Sequence, residues 1–191
     1  MTLLIAGVLL WALLHLFPVV LAEPRKKVMS LYGEKPYKAL FAMLILGSIA
    51  MMIFGWRSAT PSLIYIPPVE LRFPAMFVVV VAFIFIIASH FRRTRLRLLV
   101  RHPQLVAIFL WAFAHLMANG DSRSVTLFGG MLIWSLLSII LINRRDGVYE
   151  KPTDFMPVWR EFIAPVAAIV ISGQIVKYHY LIAGVALMSP K

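Results

Sequence analysis

The sequence predicts an all-α fold: a polytopic integral membrane helical bundle of about six transmembrane helices, forming one domain over residues 1–191. Three observations carry this. Hydrophobic residues make up 61 % of the chain and its mean hydropathy is +0.87, well outside the range of a water-soluble domain. Charged residues make up only 14 %, and they gather between apolar stretches near the roughly 20 residues that a helix needs to cross a hydrocarbon core about 30 Å thick. These stretches do not alternate apolar with polar, as barrel strands do, so the spans are helices that satisfy their backbone groups internally.

The first span covers 2–22. A cleavable signal peptide would carry positive charge before its apolar run; Met1-Thr2-Leu3-Leu4 has no basic side chain, and Arg25, Lys26 and Lys27 come after the run, so a retained span is expected. Spans two and three cover 38–56 and 73–91. Between them Ser58 to Pro74 holds Pro61, Pro67, Pro68 and Pro74, which oppose regular helix and predict an extended connection without chemistry of its own. Spans four and five cover 104–118 and 124–142, separated by Asn119-Gly120-Asp121, a turn or C-cap in which Asp121 is expected to be solvated. The sixth covers 160–177. Lys177, Tyr178, His179 and Tyr180 either end it as an interfacial belt or lie within a longer tilted helix running to Met188.

Charge in the connections sets the orientation. Arg25, Lys26, Lys27, Lys35 and Lys38 follow span one; Arg92, Arg93, Arg95, Arg97 and Arg101 follow span three; Arg144, Arg145, Lys151 and Arg160 follow span five. The alternate connections hold Arg57 and Arg72, then Arg123. The positive-inside rule turns the three rich connections toward the cytoplasm and both termini outward, to the periplasmic side. FRRTRLRLLVRHP mixes Phe91, Leu96, Leu98 and Leu99 with its arginines, which suits a short helix in the headgroup plane.

Several function classes fall away. The formal charge of +11 is confined to connections beside apolar spans, so the partner it predicts is anionic lipid and not nucleic acid. The absence of cysteine excludes disulfides, thiolate haem ligation, covalent c-type attachment and iron-sulfur clusters. No Asp or Glu lies within a span core, which leaves a carboxylate proton relay nothing to be built from and demotes a transporter. No nucleophile constellation, phosphate loop or zinc spacing is present.

Two histidines remain inside spans. LWALLHLFP at 10–18 and FLWAFAHLMANGD at 109–121 each place a tryptophan four residues before a histidine. His15 and His115 either tie helices together by hydrogen bonds or act as metal ligands, since two neutral imidazoles on different helices are enough for a six-coordinate haem iron. By helix rise, their α-carbons straddle the midplane with an offset of about 10 Å, and each side chain leans toward it. Trp11 and Trp111 lie one turn earlier on the same faces, as packing residues or as walls for a flat ligand. His102 opens span four before Pro103, as a helix-start residue at the interface or a further ligand; His90 and His179 read as interfacial.

Gly7, Trp11, His15 and Pro18, then RHPQLVAIFLWAFAHLMANGD from Arg101 to Asp121, resemble the NnrU family, bacterial membrane proteins named for association with nitrite and nitric oxide reductase gene clusters. Length and apolar layout agree across essentially the whole chain. The family is similar to 15-cis-zeta-carotene isomerase, a membrane enzyme that uses b-type haem held by two histidines. The resemblance implies haem b on His115 and His15, with Trp11, Trp111 and His102 as candidate cofactor neighbours. It further implies a place in the bacterial inner membrane and a role in nitrite and nitric oxide metabolism, or haem-dependent cis-trans isomerisation of an apolar polyene. This chain is shorter than the plant isomerase, and nothing in its sequence reads as a carotenoid-sized pocket. A cofactor-free membrane scaffold or assembly factor is the alternative.

Overall fold

A computed structural model describes residues 1–184. Its helices are α1 (Thr2–Val20), α2 (Ala22–Tyr32), α3 (Glu34–Ser58), α4 (Arg72–Ser89), α5 (Pro103–Ala118), α6 (Ser122–Ser124), α7 (Gly130–Asp146), α8 (Val158–Glu161) and α9 (Ile163–Ala183). A π-helical turn over Val125–Gly129 joins α6 to α7. Five stretches, Thr2–Val20, Glu34–Ser58, Val69–Ser89, Ser122–Asp146 and Val158–Leu181, are long and apolar enough to cross a membrane; α5 is apolar but shorter. The protein is an all-helical, multi-pass membrane protein.

The helices pack in the order α3, α1, α7, α5, α4, α9. Thus α7 stands between α1 and α5, the two helices that carry His15 and His115. In a bilayer, where lipid tails are as apolar as leucine, close approach at small residues holds helices together. Gly55 of α3 lies so near the Leu4 backbone that an added Cβ would collide with it, and a Cβ on Gly7 would come within 2.8 Å of the Met52 nitrogen. Gly55→Val is therefore expected to weaken the α1–α3 seam by about 1–3 kcal/mol, read as a lower unfolding temperature in detergent. An unchanged midpoint would show that the two helices are not in register there.

Both ends of the bundle follow from local sequence. At one end lie the basic connections, the second and third of them tied to each other: Arg101 donates to the Gly147 carbonyl at 2.7 Å, Tyr149 to the Arg97 carbonyl at 3.0 Å, and Thr94 to Glu161 at 2.7 Å. The arginine-rich stretch expected as a headgroup helix contracts to one 3-10 turn, Arg95–Leu98, because Thr94 and the Arg95 amide turn inward to the Glu161 carboxylate. The first basic connection, expected as a loop, is instead helix α2, which tolerates Pro24 in its first turn. Lys177 to Tyr180 lie inside α9, which favours the longer of the two sixth-span readings; Met188 lies outside the described residues.

At the opposite end, residues 59–68 run extended, as their prolines require, and lie across the junction of α5 and α6. Ile64 donates to the Gly120 carbonyl at 2.9 Å and Ser122 to the Ser62 carbonyl at 2.8 Å, around an isolated antiparallel bridge of Leu63 with Asp121. Gly120 is required there, because a Cβ would run into the Tyr65 carbonyl.

Candidate functional site

Helical periodicity sets the site's first feature. Four residues is one turn, so in each span the histidine ring rises beside the tryptophan that precedes it. The Nδ1 of His15 donates to the Trp11 carbonyl at 2.9 Å, and the Nδ1 of His115 donates to the Trp111 carbonyl at 2.7 Å. A carbonyl only accepts, so both bonds place the imidazole proton on Nδ1 and leave the Nε2 lone pair available. This is the tautomer, with the backbone partner, of a metal-ligating histidine. The tryptophan rings lie close alongside, 4.1 Å from the His15 ring and 4.9 Å from the His115 ring between centroids. Both histidines are half-buried.

The second feature is set by α7. Its Trp134 packs edge-on to His15 at 5.2 Å, while Phe128, in the π turn, stacks on His115 at 4.2 Å. Phe128, Met131 and Trp134, with Ala112, form a buried core against which Trp11 and Trp111 rest. The two imidazoles thus lie against side chains six residues apart on one helix, about 9 Å along its axis. Among the described residues no ring contact joins the two histidines directly.

His102 lies at the other end of α5 from His115. It precedes Pro103 as the helix-start residue, and its Nε2 is 2.9 Å from Asn143 Oδ1. Arg101 donates to the same oxygen at 3.2 Å and lies 5.5 Å from the Tyr149 ring centroid, so this pair fastens the start of α5 to the end of α7. His90 ends α4 with its Nδ1 at 2.9 Å from the Ile86 carbonyl. A cavity of about 270 Å³ at the basic end, bounded by Ile84, Thr94, Met156 and Glu161, is remote from His15 and His115 in the fold.

Sequence reasoning missed what ties down the end of α5. Tyr65, in the connection expected to carry no chemistry, donates its hydroxyl to the carbonyls of Leu116 and Asn119, the latter at 2.9 Å. Burial, with the nearby Asp121 charge, pushes the Tyr65 phenol up from its usual value. Asp121 is not simply solvated: it caps α6, accepting from the Arg123 amide at 3.0 Å, the Ser124 amide at 3.2 Å and the Ser124 hydroxyl at 2.6 Å. Partial burial raises its carboxyl, but these bonds and the Arg123 charge outweigh that and hold it below 3.8. Its contribution to stability is present above 3.8 and is lost as pH falls below that value. Asp121→Ala is expected to cost about 1 kcal/mol at neutral pH and to flatten the acid limb of stability. An acid limb identical to wild type would exclude the cap.

The donor set suits an iron porphyrin. Among the described residues no three histidine, aspartate or glutamate side chains gather as a metal cage; His15 and His115 are the two imidazoles that would hold an iron porphyrin. Flat aromatic rings surround both imidazoles, and the indole Nε1 atoms of Trp11 and Trp134 are buried without an acceptor. One iron shared by both histidines requires Phe128 and Trp134 to turn away from the positions they occupy.

The family described as NnrU protein matches residues 3–187. No curated protein and no solved structure matches the chain.

Proposed function

The chain belongs to the NnrU family, and on that premise we propose that it is a membrane haem protein in which His15 and His115 are the residues that would hold the haem. The observation that carries this is the matched pair of Nδ1–carbonyl bonds, which prepares the same nitrogen on both residues for a metal. Bound haem b would supply redox or Lewis-acid chemistry. The chain's own residues hold and orient: the carbonyls of Trp11 and Trp111 fix the imidazole planes. The setting is nitrite and nitric oxide metabolism, or isomerisation of an apolar polyene on the same ligand pair. The basic end faces the cytoplasm of a bacterial inner membrane, against anionic lipid.

The test is the visible spectrum of the detergent-purified protein after expression with ample haem. A Soret band that depends on both histidines is expected; its absence from the wild type overturns the reading. A second reading, a cofactor-free scaffold, is favoured by the packing of Phe128, Met131 and Trp134 between the histidine helices. It gives colourless protein and small, similar stability losses in both alanine variants.

A further inference from the structure

The cavity at the basic end is walled by parts of the chain far apart in sequence. Ile84 and Ala88 of α4, Leu96 of the 3-10 turn, and Ala164 and Pro165 of α9 give it apolar sides, and Thr94, Arg95 and Glu161 make one polar corner. Leu99, also in the wall, is 82 % exposed, so the cavity opens outward. An empty apolar space forfeits contacts on every side, and beside a membrane helix the apolar matter at hand is the hydrocarbon chain of a lipid. The volume, about 270 Å³, lies just under the roughly 300–1,000 Å³ of a pocket that encloses a whole drug-sized ligand. That suits a segment of chain whose remainder stays in the bilayer.

The polar corner leaves positive charge over. Glu161 is matched from within: its carboxylate accepts from the Thr94 hydroxyl at 2.7 Å, the Arg95 amide at 2.9 Å and Arg95 Nη1 at 3.4 Å. The same Nη1 donates to the Met156 carbonyl at 3.1 Å, so Nε and Nη2 of Arg95 have no acceptor among the described residues, on a side chain that is 45 % exposed. Asp154 takes Arg93 at 3.1 Å. Arg92, next in sequence to Phe91 of the cavity wall, is exposed and pairs with no carboxylate among the described residues; the same holds for the half-buried Arg97.

We propose that this cavity holds one acyl chain of an anionic phospholipid, with the headgroup phosphate on Arg92 and on the free edge of Arg95. The donors that Glu161 and Asp154 leave over suit a phosphate, which forms strong charge-assisted bonds with guanidinium. Such a site is discrete and saturable, unlike the diffuse attraction of a basic surface for acidic lipid, and it does not depend on the haem reading.

The probe is dioleoyl phosphatidylglycerol against dioleoyl phosphatidylcholine, titrated into the delipidated protein in detergent and followed by native mass spectrometry. Wild type is compared with Arg92→Gln and with the double variant Ala88→Leu/Ala164→Leu, which fills the cavity and keeps every charge. Wild type is expected to hold one tightly bound phosphatidylglycerol per chain, preferred over phosphatidylcholine by about tenfold, and Arg92→Gln to lower that preference about fivefold. The filled variant loses roughly tenfold in affinity for both lipids. A filled variant that binds phosphatidylglycerol like wild type leaves only diffuse surface charge and overturns the site. Equal affinities for the two lipids in wild type overturn it without recourse to a variant, and oleate bound as tightly as phosphatidylglycerol assigns the cavity to a single-chain carboxylate instead. Should the filled variant fail to fold, a phosphatidylglycerol with a diazirine on its acyl chain is crosslinked to wild type: labelling within 84–99 and 156–165 is expected, and labelling confined to other segments overturns the proposal.

Discussion

Replacing His115 with alanine is expected to lower haem retention through purification by more than about 100-fold and to shift any residual Soret band. The loss should exceed the 10–100-fold typical of removing only a partner behind a ligand, because a direct bond to iron disappears. His15→Ala should act in the same direction. The two variants also separate the readings: under the scaffold reading each loses only its one bond to a carbonyl, worth about 0.5–1.5 kcal/mol, and pigment plays no part. Colourless wild type with two mildly destabilised variants would settle for the scaffold.

Trp134→Ala is the second large effect. Trp134 is 6 % exposed and packs against both Trp11 and His15. Truncating a buried tryptophan leaves a cavity and costs about 3–5 kcal/mol where the surroundings cannot collapse into it. The stability of the unliganded protein should fall accordingly in detergent, and Trp134→Phe should recover most of the loss. Since a shared iron needs this ring to move, haem uptake relative to folded protein should rise in the alanine variant while stability falls. A fall in both would mean that Trp134 supports the ligand and does not stand in its place.

Much of this was legible in the sequence, for identifiable reasons. The six apolar segments were visible because a bilayer dictates segment length directly, and their ends fall within a few residues of the helices. That each histidine ring lies beside a tryptophan was implicit in the four-residue spacing. Helix α2 was hidden because Arg25, Lys26 and Lys27 resemble a loop by charge, whereas a helix at the end of a bundle needs only one apolar face. Tyr65 was hidden because it bonds to carbonyls more than fifty residues away, exposed by the end of α5. Phe128 and Trp134 were indistinguishable from any other large residues in an apolar run; only the order in which the helices pack selects them.

The π turn at Val125–Gly129 has a consequence for the whole of the helix beyond it. One extra residue in a helical turn advances every later side chain by about 100° around the axis. The directions in which Trp134 faces His15 and Asn143 faces His102, on opposite sides of the helix, are therefore both set once near the start of the rod. Excising one residue there would swing both away from their partners together, leaving a continuous, equally greasy cylinder that no longer matches its neighbours at either depth.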